Sequence, residues 1–177
     1  MVSLYENNKA MDKHIRINLD IIRDIRENRE ERRLISLYLL VKMKCESSSV
    51  RLTNMEKARK IIGIRLDELD SIMKMGKFDS MFKINDNKLT AIDIGYDDAY
   101  VRFSYSGSKV RVVMTNKIPD SSYRTKKMYI HEHKKRIHSY YDVKYLLKDV
   151  CDIIYKLEAE DGYNLENLPE KERAIDQ

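Results

Sequence analysis

The chain reads as an α+β protein with a helical N-terminal half, a small antiparallel sheet and a long C-terminal helix, and three stretches carry that reading. Residues 53–78 place apolar side chains at helical spacing on both sides of Gly63. Residues 100–115 alternate apolar and polar side chains around Ser106-Gly107-Ser108-Lys109, the pattern of a hairpin with one buried face. From about residue 122 the spacing is helical again: Ile137, Tyr140, Val143, Leu147, Val150, Ile154 and Leu157 follow at threes and fours.

Composition bounds the class of protein. At 177 residues the chain can bury a real core, and 42% hydrophobic with 36% charged residues describes a folded domain with a heavily charged surface. The 34 lysines and arginines are largely offset by 29 acids, so the net charge of +5 favours polyanionic partners only mildly. Cys45 and Cys151 each lie in an apolar helical pattern, which predicts reduced, buried thiols rather than a disulfide or a zinc site. No apolar run approaches the ~20 residues that span a bilayer. Residues 1–13 lack a signal-peptide core, so no membrane association and a cytoplasmic location are expected.

Residues 1–33 are expected to be an amphipathic helix, with Ile15, Leu19, Ile22 and Ile25 on one side and Arg16, Arg23, Arg26 and Arg29 between them. The apolar pattern resumes at Leu34, Leu37, Tyr38 and Val41 as far as Lys44, after a charge-rich interval with no Gly or Pro. Residues 46–49 are a polar connector, and Val50-Arg51-Leu52 suits a short strand. Thr53-Asn54-Met55-Glu56 has the form of a capping box that starts a helix. Gly63 is the residue that leaves that helix cheaply at positive φ, and Gly76 is placed to end the next. This is the layout of a helix-turn-helix. Met81, Phe82 and Ile84, the turn residues Asn85-Asp86-Asn87, and the run from Leu89 to Ile94 then predict a hairpin.

Helix, short strand, helix, turn, helix and hairpin, in that order over residues 34–94, resemble the winged helix-turn-helix family. The resemblance implies a DNA-binding regulator or replication accessory of the kind found in phages and mobile elements, with the hairpin as its wing. Arg65 on the second helix of the motif, and Lys74, Lys77, Lys83 and Lys88 about the wing, are the cations such a surface would use.

Residues 95–121 are a β-hairpin region in a sheet of three or four antiparallel strands. Residues 122–162 are expected to be one long helix, basic at its start and acidic at Glu158, Glu160 and Asp161, a polarity opposed to the helix dipole. Residues 163–177 read as a charged tail. Within the basic half, Tyr123, Arg124, Lys126, Lys127, Lys134, Lys135 and Arg136 alternate cations with an aromatic ring, and Tyr129 adds a second; rings stack on bases while cations neutralise phosphates. The same residues equally suit a helix that buries its tyrosines and keeps its lysines for solubility.

No chemistry-bearing constellation is present. His131 and His133 lie two apart, which on a helix points them in different directions, and the glycines stand singly, so neither a metal, a cofactor nor a phosphate loop is expected. The sequence therefore predicts a non-enzymatic protein that binds DNA. The alternative is a structural or assembly protein of a phage particle, whose acidic helix at Asp67, Glu68 and Asp70 and opposed C-terminal charges serve contacts with other chains or with itself. Under that alternative the location is the virion.

Overall fold

The computed structural model describes residues 12–117 and 125–161. In chain order the elements are β1 (Lys13–Asn18), α1 (Leu19–Ile25), α2 (Arg29–Lys44), β2 (Ser49–Arg51), α3 (Met55–Ile62), α4 (Leu66–Met73), β3 (Phe82–Asn85), β4 (Lys88–Ala91), β5 (Tyr100–Tyr105), β6 (Val110–Lys117), β7 (Thr125–His133) and α5 (Tyr140–Asp161). The architecture is α+β, with helices through the N-terminal half, antiparallel strands and a long C-terminal helix. The chain divides into two compact units. The sheet unit takes Met1–Glu27, Gly95–Arg136 and Lys148–Gln177, and the helical unit takes Asn28–Ile94 and Ile137–Leu147.

In the sheet unit β1, β5, β6 and β7 pair antiparallel in that order. Ile15, Ile17, Val101, Phe103, Val110, Val112 and Met114 are buried on one face, as strict period-two alternation requires. Helix α1 buries Leu19, Ile22 and Ile25, and Arg23 and Arg26 reach the later turns of α5, to Glu158 at 2.7 Å and Asp152 at 3.4 Å. A bulge interrupts the β6–β7 register: Val112 pairs with His131 and Val113 with Tyr129, leaving Ile130 as the extra residue.

In the helical unit α2 is buried almost continuously from Leu34 to Val41. β2, β4 and β3 form a three-stranded sheet in that order. The β3–β4 turn places Asp86 and Asn87 at φ 52° and 57°, the paired left-handed conformation that matches the twist of a two-residue hairpin. Between α3 and α4, Gly63 has φ 63°, and a Cβ there would lie 2.4 Å from Ser139 Cβ. Glycine is thus required twice over, by conformation and by the close approach of the chain.

Several expectations are corrected. Residues 13–18 are a strand, not the start of a helix, because Ile15 and Ile17 both face the core and Arg16 lies opposite them. The N-cap of α3 is Asn54, whose side chain accepts from Lys57 N–H at 3.0 Å, one residue after the Thr53 expected. Helix α4 ends at Met73 with Lys74 in right-handed conformation, so Gly76 does not stop it. The long helix of 122–162 is a strand followed by a helix that begins at Tyr140. Asp142 accepts from His138 N–H at 2.7 Å and from Ser139 N–H at 3.0 Å, a capping arrangement that fixes the start. The basic run therefore precedes the helix and Asp142 occupies its first turn, so the opposition to the dipole is lifted at the N-terminal end, while the acids of the last turn still run against it. The charged tail at 163–177 lies outside the described residues.

Candidate nucleic-acid interface

The face of the four-stranded sheet opposite its buried side is laid out in rows that cross the strands. The registers align His14, Ser104, Arg111 and Glu132 in one row, Arg16, Arg102, Val113 and Tyr129 in the next, and Asn18, Tyr100, Thr115 and Lys127 in the third. Val113 and Thr115, in the middle of these rows, are buried. Tyr96 leans onto the third row, its ring centroid 5.0 Å from that of Tyr100 at 65°. The guanidinium of Arg16 lies 5.4 Å from the Tyr96 centroid and 5.7 Å from that of Tyr100, and Arg111 lies 5.5 Å from the Tyr129 ring.

Like charges are held together on this face. Burial, then the charges of Arg16 and Arg111, pull Arg102 below the ordinary arginine value. Burial and the charges of Arg102 and Arg16 hold His14 below the ordinary histidine range, against the pull of Asp12. Burial pushes the Tyr100 hydroxyl up, but the Thr115 hydroxyl beside it and the charges of Arg16 and Lys127 outweigh that, leaving it below its usual value. Three groups thus report one positive potential. Short hydrogen bonds order the cluster: His14 Nδ1 to Ser104 Oγ at 2.8 Å, and Arg102 Nε donating to Ser104 Oγ at 3.1 Å. Such an array attracts an anion, and its rings offer π faces beside the cations.

The residues expected from the sequence are divided between the two units. Lys126 and Lys127 are adjacent on β7 and so project to opposite faces, and only Lys127 joins the rows. Lys134, Lys135 and Arg136 are exposed in the segment after β7. Tyr123 and Arg124 lie outside the described residues. In the helical unit, Lys83 and Lys88 are exposed on β3 and β4, Lys74 is exposed after α4, and Lys77 pairs with Glu31. Arg65 sits 3.4 Å from Asp67 and 3.9 Å from Glu68.

Glu68 does not belong to an exposed acidic surface. Its carboxylate is buried, accepts from the Tyr141 hydroxyl at 3.2 Å, and has Lys144 Nζ at 3.5 Å and Arg33 Nε at 3.6 Å. Burial pushes its carboxyl up, but Tyr140, Lys144, Arg33 and Tyr141 together hold it below the usual glutamate value. On the exposed side of α4, Arg65 and Lys74 face Asp67 and Asp70 in balance.

Sequence reasoning missed His14, Arg16, Tyr96, Tyr100, Arg102 and Arg111. A signal for part of this was present: the polar positions of the expected hairpin carry arginines in mid-strand, where short polar residues suffice for a solvated face. Among the described residues no group of three His, Cys, Asp or Glu side chains is placed to hold a metal ion, and no helix is long and apolar enough to cross a membrane. Comparison of the chain with protein-family models, with curated proteins and with solved structures finds no match.

Proposed function

We propose that this is a non-enzymatic nucleic-acid-binding protein and that its contact surface is the open face of the sheet unit. The observation that carries the reading is the cluster of Arg16, Arg102 and Arg111 among Tyr96, Tyr100 and Tyr129, in which the rings flank the cations and burial, then its cationic neighbours, lower Arg102. Holding arginines side by side costs folding energy that a bound polyanion returns. The winged-helix-like order of the helical unit, a helix, a short strand, two helices about a left-handed glycine and a hairpin, supports the same class of function by analogy of layout. A DNA-binding regulator or replication accessory is the reading we favour. Binding of a labelled oligonucleotide, followed as salt is raised, tests it. We expect log affinity to fall with log salt at a slope of about −2 to −4, three to five phosphates being neutralised. Affinity that is absent at low salt, or flat across the titration, overturns the proposal.

One observation favours a second reading for the helical unit alone. Its α4 surface is balanced in charge, and Ile61, Leu66 and Ile84 are exposed. Such a surface suits another protein chain better than a phosphate backbone, as in an assembly component of a particle. Sedimentation at rising concentration tests this, and a strictly monomeric species argues against self-association.

A further inference from the structure

We infer that the open edge of β2 takes an extended, acidic segment of another protein, which adds a strand to the three-stranded sheet of the helical unit. The inference goes beyond the nucleic-acid reading and does not rest on it. β2 is the outer strand in the order β2-β4-β3. Leu52 N–H donates to Asn87 O at 2.6 Å, and Val50 is opposite Leu89 in the register. In an antiparallel ladder alternate residues bond to the partner strand, so Val50 and Leu52 face β4, and Ser49 and Arg51 turn their main-chain groups the other way. Ser49 N–H is taken by Glu46 O. Arg51 N–H and C=O and Ser49 C=O are left along an edge with which no described strand pairs. Such an edge is a template for strand addition.

The surroundings of the edge say what adds to it. A depression of about 500 Å³ lies beside it, with α3 and the end of α2 as its other walls. Val50, Ala58 and Ile61 give it an apolar lining, and Ile61 is 42% exposed. Its charged lining is Lys44, Arg51 and Lys57 against the one acid Glu46. Lys44 Nζ gives one of its three donors to Ile137 O at 2.9 Å. Lys42 and Lys77 of the same unit each close on a carboxylate, and among the described residues Arg51 and Lys57 do not. Directly opposite residues of an antiparallel pair share a face, so an acid opposite Arg51 lies beside its guanidinium. The residues before and after that acid then turn to the face on which Val50 lies. The occupant is therefore a segment that alternates acidic and apolar side chains. A second copy fits less well, because a two-fold pairing of β2 with itself brings the same cations together.

Fluorescence anisotropy of the full chain with a labelled, end-blocked peptide of about seven residues alternating valine and glutamate tests this, against the same peptide with lysine for glutamate. We expect the acidic peptide to bind at least tenfold more tightly. In the pairing inferred, the glutamate N–H groups face β2 and the valine N–H groups face away. N-methylation at the glutamates should therefore weaken binding about tenfold, and N-methylation at the valines should leave it within about twofold. Arg51→Pro, which an edge strand accommodates at an outward N–H, should cost about as much as the first with an unchanged unfolding midpoint. Arg51→Glu with Lys57→Glu should turn the preference to the lysine peptide. Equal binding of the acidic and basic peptides, equal binding of the two methylated peptides, or no binding of the acidic peptide at low salt overturns the inference. Displacement of the bound peptide by oligothymidylate, or a dimer that Arg51→Pro abolishes, gives the edge to a different occupant and overturns it too. The salt titration with an oligonucleotide is decided separately, since Arg51→Pro leaves the sheet face as it is.

Discussion

In the helical unit Arg33 and Lys144 close on the buried Glu68 carboxylate, Lys42 on Asp93 and Lys77 on Glu31, whereas in the sheet unit Arg16, Arg102 and Arg111 stand beside one another on one face. The residue types are the same, and their surroundings give them opposite roles. A cation that closes on a carboxylate within its own unit contributes to holding that unit, and its loss leaves a charge behind. A cation at an exposed position beside other cations, as Arg111 is, contributes little to folding and can meet a polyanion. The two units should therefore respond differently to substitution: changes in the helical unit should alter stability with little effect on binding, and changes on the sheet face should do the reverse.

The largest expected effect is on stability. Gly63→Ala forces a left-handed residue to carry a Cβ, about 1–2 kcal/mol, and drives that Cβ into Ser139, which adds an overpacking cost of ~1–3 kcal/mol. Thermal or urea unfolding should record a loss near 3 kcal/mol. Next is binding: Arg111→Glu combined with Lys127→Glu should cost about 100-fold in oligonucleotide affinity, roughly 2.7 kcal/mol, with an unfolding midpoint close to that of the parent. Loss of folding in this double variant would erase the contrast between the units.

Glu68→Gln should then cost about 2 kcal/mol, below the ~3–5 of a fully buried pair because Lys144 keeps 26% of its side chain in solvent. The same carboxylate makes a pH prediction. Its folded value lies below the ordinary 4.5, so its contribution to stability is complete above that value and is lost as pH falls through the lower folded value. Acid unfolding of Glu68→Gln should accordingly be the flatter of the two in that window. An identical acid profile would mean that this cluster does not hold the unit.

A smaller effect is expected at His14, which burial and then its cationic neighbours hold below the ordinary histidine value. A phosphate seated beside it would favour the charged form, so affinity should rise a few-fold between pH 7 and about 5.5, and His14→Gln should flatten that rise. The smallest is in the wing-like hairpin: Lys83→Glu with Lys88→Glu should change oligonucleotide affinity by less than about threefold beyond the general charge effect. A loss as great as that from the sheet face would move the binding surface to the helical unit.

Much of the architecture was legible because the signals are local. The left-handed turn at Gly63, the Asp86-Asn87 hairpin and the alternation of 100–115 each depend on a few adjacent residues, and each formed where expected. The failures came where two periods fit the same residues. Ile15, Leu19, Ile22 and Ile25 satisfy a helix, and only Ile17, apolar at the wrong helical angle but at the right strand spacing, distinguishes the strand that forms. Met128 and Ile130 carry a similar two-residue step inside a run whose charge drew attention away from it. Ser139 and Asp142 give the helix start three residues apart, but the apolar pattern from Ile137 hid the boundary. The candidate site was less legible for a further reason. Which face of a sheet stays open is set by where the helices pack, and that depends on contacts between residues far apart in the chain.

The most direct test of where nucleic acid binds is an amide chemical-shift map of the full chain titrated with a short oligonucleotide. The account predicts that the largest shifts fall on β1, β5, β6 and β7, at His14, Arg16, Arg102, Arg111 and Lys127, with those of α4 and the β3–β4 hairpin near zero. Shifts concentrated on Arg65, Lys74, Lys83 and Lys88, with the sheet rows unmoved, would contradict it.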